Sequence, residues 1–120
     1  MALPLYEPTV LLAQIERPDD TATLVEWRLG RVHYIIPGAA KLALFPDQES
    51  WLAFWEEIAD VGFWDWQPDC DAIEGDGTRW LVDIRFRGRR HRARGSNAFP
   101  PRFGEFCIAL TRLMNGADFS

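Results

Sequence analysis

Hydrophobic and polar residues alternate along several stretches of the chain, and this period of two is typical of half-buried β-strands. Val25, Trp27 and Leu29 alternate with the residues between them, and Trp80, Val82, Ile84 and Phe86 do the same. Each stretch is followed by glycine and arginine, so we predict type II′ hairpin turns at Gly30-Arg31 and Gly88-Arg89. Residues 9–15 and 63–67 are predicted as further strands.

Two later stretches have the period of an amphipathic helix. Trp51, Phe54, Trp55 and Ile58 follow the i, i+3, i+4, i+7 spacing, between a candidate N-cap at Asp47 and a stop at Gly62. A second helix is predicted to begin at Pro100-Pro101 and to end at Gly116. Its apolar stripe consists of Phe103, Phe106, Cys107, Leu110, Leu113 and Met114.

Together these elements predict one α+β domain over residues 1–120, an antiparallel sheet of about six strands with two amphipathic helices on one face. A chain of 120 residues can bury roughly two thirds of its unfolded surface, which is enough for a core. The stretch 25–29 is similar to 82–86, and a Phe-Pro pair precedes each helix. A duplicated β-β-β-α unit is one interpretation of these similarities, and chance is the other.

Cysteine content and the first residues bear on cofactors and location. Cys70 and Cys107 are the only cysteines, with no ligand partner at short spacing, so we expect two free thiols and neither a metal nor another cofactor. Residues 1–15 contain neither a basic leader nor an apolar run long enough to span a membrane. We therefore expect a cytoplasmic protein that does not associate with membranes.

The net charge of −5 conceals a sharp asymmetry. Residues 47–76 contain ten acidic side chains and no lysine or arginine, whereas residues 77–102 contain eight arginines and one aspartate. Such a separation of charge within one domain indicates what the protein contacts, and it does not indicate the fold class.

The arginines fall on the second predicted hairpin. A turn at Gly88-Arg89 would place Arg87 opposite Arg90, Arg85 opposite Arg92 and Asp83 opposite Arg94 on the outer face of the sheet. Like charges in directly opposite positions destabilise a sheet by up to about 1 kcal/mol per pair, so we expect something negative over this face. The alternatives are the chain's own acidic helix face or its acidic segment over residues 65–76, a protein partner, and nucleic-acid phosphate bound by Arg85, Arg87, Arg90 and Arg92.

Signals of catalysis are weak. His91 is predicted on the core face of the sheet and His33 on the outer face, so neither is favoured as a general base. The acidic segment lacks the ligand spacing of a calcium-binding EF-hand loop. Cys70 lies between Asp69 and Asp71, which would raise the pKa of its thiol and make it a poor nucleophile. We therefore predict that the protein is not an enzyme and has no metal site.

Two segments carry a resemblance. Asp76-Gly77-Thr78-Arg79-Trp80 enters a basic strand, and Gly95-Ser96-Asn97-Ala98-Phe99-Pro100 leads into the second helix. This pattern, over residues 76–114, resembles small bacterial domains of the immunity type that accompany bacterial toxins. The resemblance implies a binding role rather than catalysis.

The leading hypothesis is therefore a domain of immunity or inhibitor type that covers a basic surface of a protein partner, such as the active-site cleft of a toxin nuclease. The residues that would dock on this partner are Asp65, Asp69, Asp71, Glu74 and Asp76. Trp64 and Trp66 would supply an apolar anchor if they were exposed, while their size favours the alternative that they fill the core. The alternative function is nucleic-acid binding by the arginine hairpin.

Overall fold

The computed structural model describes residues 5–120 and has the predicted α+β composition. Its elements, in chain order, are β1 (Val10–Glu16), β2 (Ala22–Arg28), β3 (Arg31–Ile36), β4 (Ala40–Leu44), α1 (Gln48–Asp60), a short 3₁₀ helix (Phe63–Asp65), β5 (Asp69–Asp71), β6 (Arg79–Phe86), β7 (Arg89–Ser96) and α2 (Phe103–Leu113). Among these residues, no helix is long and apolar enough to cross a membrane.

The strands form one sheet in the order β4-β3-β2-β1-β6-β7-β5. All neighbouring pairs are antiparallel except β5, which runs parallel to β7 at one edge. The sheet therefore has seven strands rather than about six. The two unpredicted strands are β4 and β5, and both are short edge strands with mostly exposed residues.

The predicted strand over residues 63–67 is wrong, because this segment forms the 3₁₀ helix and the turn after it. Gly62 ends α1 with a φ of 81° and turns the chain back towards the core. Phe63 and Trp66, three positions apart, are consequently both buried. Three residues per turn bring positions i and i+3 to the same side, as the 3₁₀ helix requires.

Both predicted hairpins exist, but their turns are centred one residue earlier than predicted. Leu29 and Gly30 have φ angles of 53° and 74°, and Arg87 and Gly88 have φ angles of 51° and 78°. Positive φ at both central residues is the type I′ geometry, which matches the twist of the flanking strands. The predicted type II′ turns at Gly30-Arg31 and Gly88-Arg89 are therefore wrong.

The shift changes the cross-strand partners without exchanging the two faces of the sheet. In the first hairpin Trp27 lies opposite Val32 and Val25 opposite Tyr34. In the second hairpin Ile84 lies opposite His91 and Val82 opposite Ala93. A turn that moves by one residue displaces every cross-strand partner by two positions. Because side chains alternate between the faces with a period of two, each side chain keeps its predicted face.

Both helices pack on the inner face of the sheet. Asp47 caps α1, with its Oδ1 accepting a hydrogen bond of 2.8 Å from the Ser50 amide. The apolar stripes predicted for α1 and α2 are buried throughout. They enclose a core with the inner-face residues Leu11, Ala13, Ile15, Val25, Val32, Tyr34, Trp80, Val82, Ile84 and Ala93.

The start of α2 differs from the prediction. Pro100 and Pro101 form a turn in which the Pro100 carbonyl accepts a hydrogen bond from the Phe103 amide. Arg102 follows in a left-handed conformation with a φ of 63°, so regular helix geometry begins only at Phe103. The Arg102 side chain is held at this position by bonds to Asp60 and Glu105.

The two halves of the chain share a hairpin followed by a helix, but not the position of the remaining strand. In the first half, β1 pairs with β2 at the centre of the sheet. In the second half, β5 pairs with β7 in parallel at the edge. The second half has no counterpart of β4 between its hairpin and α2.

Candidate functional site

The carboxylates of the predicted partner-binding segment lie along one exposed margin of the domain. We call this margin the acidic edge; it consists of Asp65, Asp69, Asp71, Glu74 and Asp76. The 3₁₀ helix, β5 and the loop before β6 carry them. Hydrogen bonds of 2.9 Å from the Arg94 amide to the Pro68 carbonyl and from the Ala72 amide to the Ser96 carbonyl dock this segment on β7.

Two carboxylates of the acidic edge have partners within the chain. Asp69 forms an ion pair of 3.1 Å with Arg94 of the neighbouring strand. Asp76 accepts a hydrogen bond of 2.9 Å from the Thr78 amide, and this bond lowers the pKa of Asp76. Asp65, Asp71 and Glu74 form no ion pair within residues 5–120. Three carboxylates of the acidic edge are therefore free to face a partner.

An apolar side chain lies between the free carboxylates. Ile73 is fully exposed in the loop between Asp71 and Glu74. Ile73 was not among the site residues predicted from the sequence, because a single apolar residue in a polar segment is common on protein surfaces. Its aliphatic surface lies in water beside the unpaired carboxylates.

The two tryptophans do not form an exposed platform. Trp66 is 5% exposed and packs against Phe63 and Phe106, with ring centroids 5.2 and 5.3 Å apart. Trp66 is therefore a core residue, and its assignment as a partner contact is wrong. Trp64 is half-buried beneath Arg89, whose guanidinium lies 4.4 Å from the ring centroid. This cation–π contact covers one face of the Trp64 ring.

On the outer face of the sheet the arginine pairs differ from those predicted, because the hairpin turn lies one residue earlier. Arg85 lies opposite Arg90, and Asp83 lies opposite Arg92. Asp83 forms two bonds with Arg90, of 3.1 Å to Nη2 and 3.4 Å to Nε. This pair relieves the repulsion between Arg85 and Arg90. Arg87 lies in the turn instead, over the Phe86 ring.

The sheet order extends the arginines across several strands. Arg31 of β3 lies opposite Arg28 of β2. Arg85 of β6 lies between Val10 of β1 on one side and Arg90 of β7 on the other. Continuing the β1–β2 register brings Val10 next to Arg28. One line across five strands, which we call the arginine row, therefore contains the exposed side chains of Arg28, Arg31, Arg85 and Arg90. Arg92, also exposed, lies beside it on the same face.

Arg28 and Arg31 were not among the residues predicted from the sequence. Both flank the first hairpin turn and alternate with core residues, so their place on the outer face was predictable. Their proximity to the second hairpin was not, because it depends on β1 lying between β2 and β6.

The chain neutralises only part of its own arginines. The carboxylates of α1 pair with α2 rather than with the hairpin: Asp60 binds Arg102 at 2.9 Å, and Glu57 lies 3.4 Å from Arg112. These helices lie on the inner face, away from the arginine row. Among the described residues, no carboxylate is ion-paired with Arg28, Arg31, Arg85 or Arg92.

The remaining titratable candidates are dispersed. His91 packs against Phe63 with ring centroids 5.3 Å apart, and the Nε2 of His33 lies 3.2 Å from the Arg28 carbonyl oxygen. Burial raises the pKa of Cys70, with smaller contributions from Asp71 and Asp69, and burial raises the pKa of Cys107 to about 12. Within the part of the chain that the structure describes, no group of three or more His, Cys, Asp and Glu residues could hold a metal ion.

Neither models of known protein families nor curated proteins match the chain. What bears on its function is therefore the geometry of its surfaces. The domain presents an acidic edge with an exposed isoleucine at one margin of the sheet and an arginine row on the outer face.

Proposed function

We propose that this protein is a non-catalytic binding domain of immunity or inhibitor type that acts in the cytoplasm and covers a basic surface of a partner protein. The observation that carries the proposal is the acidic edge, where Asp65, Asp71 and Glu74 are exposed without an ion pair in residues 5–120. Unpaired carboxylates on one margin create a local negative potential that a basic surface complements.

The mechanism is electrostatic occlusion. Carboxylates that dock in a cleft built for phosphates stand in for the substrate, as in the active-site cleft of a nuclease toxin. Complementary charge speeds association by about 10-fold or more at low salt. The exposed Ile73 adds an apolar contact next to these carboxylates in the chain, and full burial of such a side chain contributes about 1.5–3 kcal/mol.

The test uses charge reversal with a matched control. Asp71→Lys with Glu74→Lys removes two unpaired carboxylates; Asp69 is left intact because it is already paired with Arg94. Glu49→Lys with Glu56→Lys makes the same change in net charge on the exposed face of α1.

In a pull-down from nuclease-treated lysate of the source organism, we expect the wild type and the α1 variant to retain one basic protein and the acidic-edge variant to lose it. Equal retention by all three would refute the proposal.

A second function, in another class, is favoured by the arginine row. Four exposed arginines on one line, with Arg92 beside them, suit the phosphates of a nucleic acid, to which guanidinium groups bind with two donors. Arg87, included in the sequence-based site, lies in the turn and does not belong to this line.

This alternative has its own test. Binding to a nucleic acid would weaken with salt, with a log–log slope of about −0.7 to −0.9 per phosphate contact. Arg28→Ala would then reduce the magnitude of that slope by about 1. Absence of binding at low salt would exclude this function and leave the acidic edge as the site.

A further inference from the structure

An open groove of about 710 Å³ lies along α2, on the side that the β1–β2 turn and the last residues of the chain flank. Its volume lies in the range of sites that bind ligands or peptide side chains. The groove has a buried apolar floor that includes Ile15, Phe103, Cys107 and Phe119.

The walls of the groove leave apolar surface in water. Phe99 and Ile108 line it with 47% and 52% of their surface exposed. Gly104, in the first turn of α2, also lines the groove, and a Cβ added there would meet no atom within 4 Å. The groove is therefore an unfilled apolar concavity, in contrast to the close packing of the core beneath it.

The rim of the groove is acidic. Asp19, Asp76 and Asp118 lie along it, all exposed. Of the two arginines of the rim, Arg112 pairs with Glu57, whereas Arg17 donates hydrogen bonds to the Ser120 carbonyl oxygen and the Thr23 hydroxyl and keeps its charge. Three carboxylates against this one unpaired arginine leave a net charge of −2 at the rim. The charge that remains for a ligand is negative.

Two carboxylates of the rim accept hydrogen bonds from neighbouring threonines. The Thr21 hydroxyl and amide lower the pKa of Asp19, and the Thr78 amide lowers the pKa of Asp76. Carboxylates with a pKa at or below the ordinary value of about 3.9 are ionised at neutral pH. An apolar groove with an ionised acidic rim complements a ligand that is apolar on one side and basic on the other, and it repels an anionic amphiphile.

Resting on the proposed function, we infer that the groove is the second part of the partner-binding surface and takes an amphipathic basic peptide segment of the partner. Apolar side chains of the segment lie on Phe99 and Ile108, and its lysines or arginines face Asp19, Asp76 and Asp118. Asp76 belongs both to the rim and to the acidic edge, so the two surfaces are continuous. Binding of a helix in an apolar groove is a recurrent mode of peptide recognition.

The test uses synthetic 15-residue peptides as probes. One is amphipathic and built from leucine and lysine, the second replaces lysine with glutamate, and the third replaces leucine with serine. Isothermal titration with the wild type should give the tightest binding for the leucine–lysine peptide, with a Kd at least 10-fold below that of the other two. A lysine–serine peptide that binds equally well would overturn the inference, because charge alone would explain the binding.

Gly104→Trp should fill the groove, because Gly104 lines it and a Cβ added there has open space around it; Gly104→Ala is the matched control. We expect at least a 10-fold loss of affinity for the leucine–lysine peptide with the tryptophan variant and less than a 2-fold change with the alanine variant. Ile108→Gln, at an exposed wall position, tests the same contact should Gly104→Trp fail to fold. Unchanged affinity in a folded groove variant would overturn the inference, as would binding of a long-chain alkylamine without binding of the peptide.

These outcomes are distinguishable from failure of the proposed function. If the groove variants still retain the partner while Asp71→Lys with Glu74→Lys loses it, the acidic edge alone is the interface. If the partner is retained by the acidic-edge variant and the peptide still binds the wild type but not Gly104→Trp, the groove binds peptides and the proposed function fails.

Discussion

Gly95 in β7 provides a test of the packing that positions the acidic edge. A Cβ at this position would lie 2.3 Å from Trp80 Nε1 and 2.7 Å from the Ala98 carbonyl oxygen. Normal contacts between such atoms are about 3.5 Å or longer, so the buried indole would have to shift by roughly 1 Å. The shift would break the 2.8 Å hydrogen bond from Trp80 Nε1 to that carbonyl. Gly95 also pairs with Cys70, so the strain reaches β5.

The cost of Gly95→Ala follows from these contacts. Overpacking a core position costs about 1–3 kcal/mol, and a buried N–H without an acceptor costs about 1–3 kcal/mol. Alanine also reduces the conformational entropy of the unfolded chain, and this effect offsets less than about 1 kcal/mol of the cost. We expect the free energy of unfolding to fall by about 2–4 kcal/mol, which corresponds to a decrease in Tm of roughly 8–16 °C at about 4 °C per kcal/mol.

The assay is urea unfolding followed by tryptophan fluorescence. Gly104→Ala makes the same chemical change in the first turn of α2, where a Cβ has no neighbour within 4 Å. It should raise the free energy of unfolding by about 0.5–1 kcal/mol, because glycine is a poor helix former. Equal stabilities for Gly95→Ala and wild type would refute the reasoning about the close approach of β7 to Trp80.

Two further predictions concern titratable groups. Asp47→Ala should lower the Tm by removing the cap of α1. The bonds from Ser50 lower the pKa of Asp47 in the folded protein. The cap therefore contributes fully to the free energy of unfolding when the pH is above the unfolded-state pKa of about 3.9. This contribution is lost as the pH falls through the lower pKa of the folded state. The difference in Tm between wild type and Asp47→Ala should therefore become smaller below about pH 4. An equal difference at pH 3 and pH 7 would contradict this prediction. Because the pKa of the buried Cys107 thiol is raised to about 12, a thiol reagent at pH 8 should label Cys70 first; equal labelling rates would show that Cys107 is accessible.

The alternation of residues in 23–29 and 80–86 was sufficient to predict the inner face of the sheet. Val25 and Ile84 are buried whichever turn closes their hairpins, because a shift of two positions in register preserves the face. The turn type was not predictable in the same way. Type I′ places Leu29 and Arg87 in the left-handed region, which residues with a side chain seldom adopt, so the sequence favoured glycine at the first position.

The features that escaped prediction depend on contacts between distant parts of the chain. β5 is three residues long and exists because β7 offers it a parallel edge. The arginine row arises only once β1 separates the two hairpins, and the groove requires the β1–β2 turn to meet α2. The acidic edge was predicted as a set of residues, because its carboxylates are close in sequence, but Ile73 between them was not assigned a role.

The central claim is that the acidic edge accelerates association with a basic partner. The most direct measurement is the association rate of the captured partner, by stopped-flow fluorescence at low and high salt. Asp71→Lys with Glu74→Lys should slow association at low salt by about 10-fold or more, with less effect at high salt. Glu49→Lys with Glu56→Lys should change it by less than about 3-fold. Equal rates for the two variants at low salt would contradict the account, because net charge rather than the acidic edge would then govern the encounter.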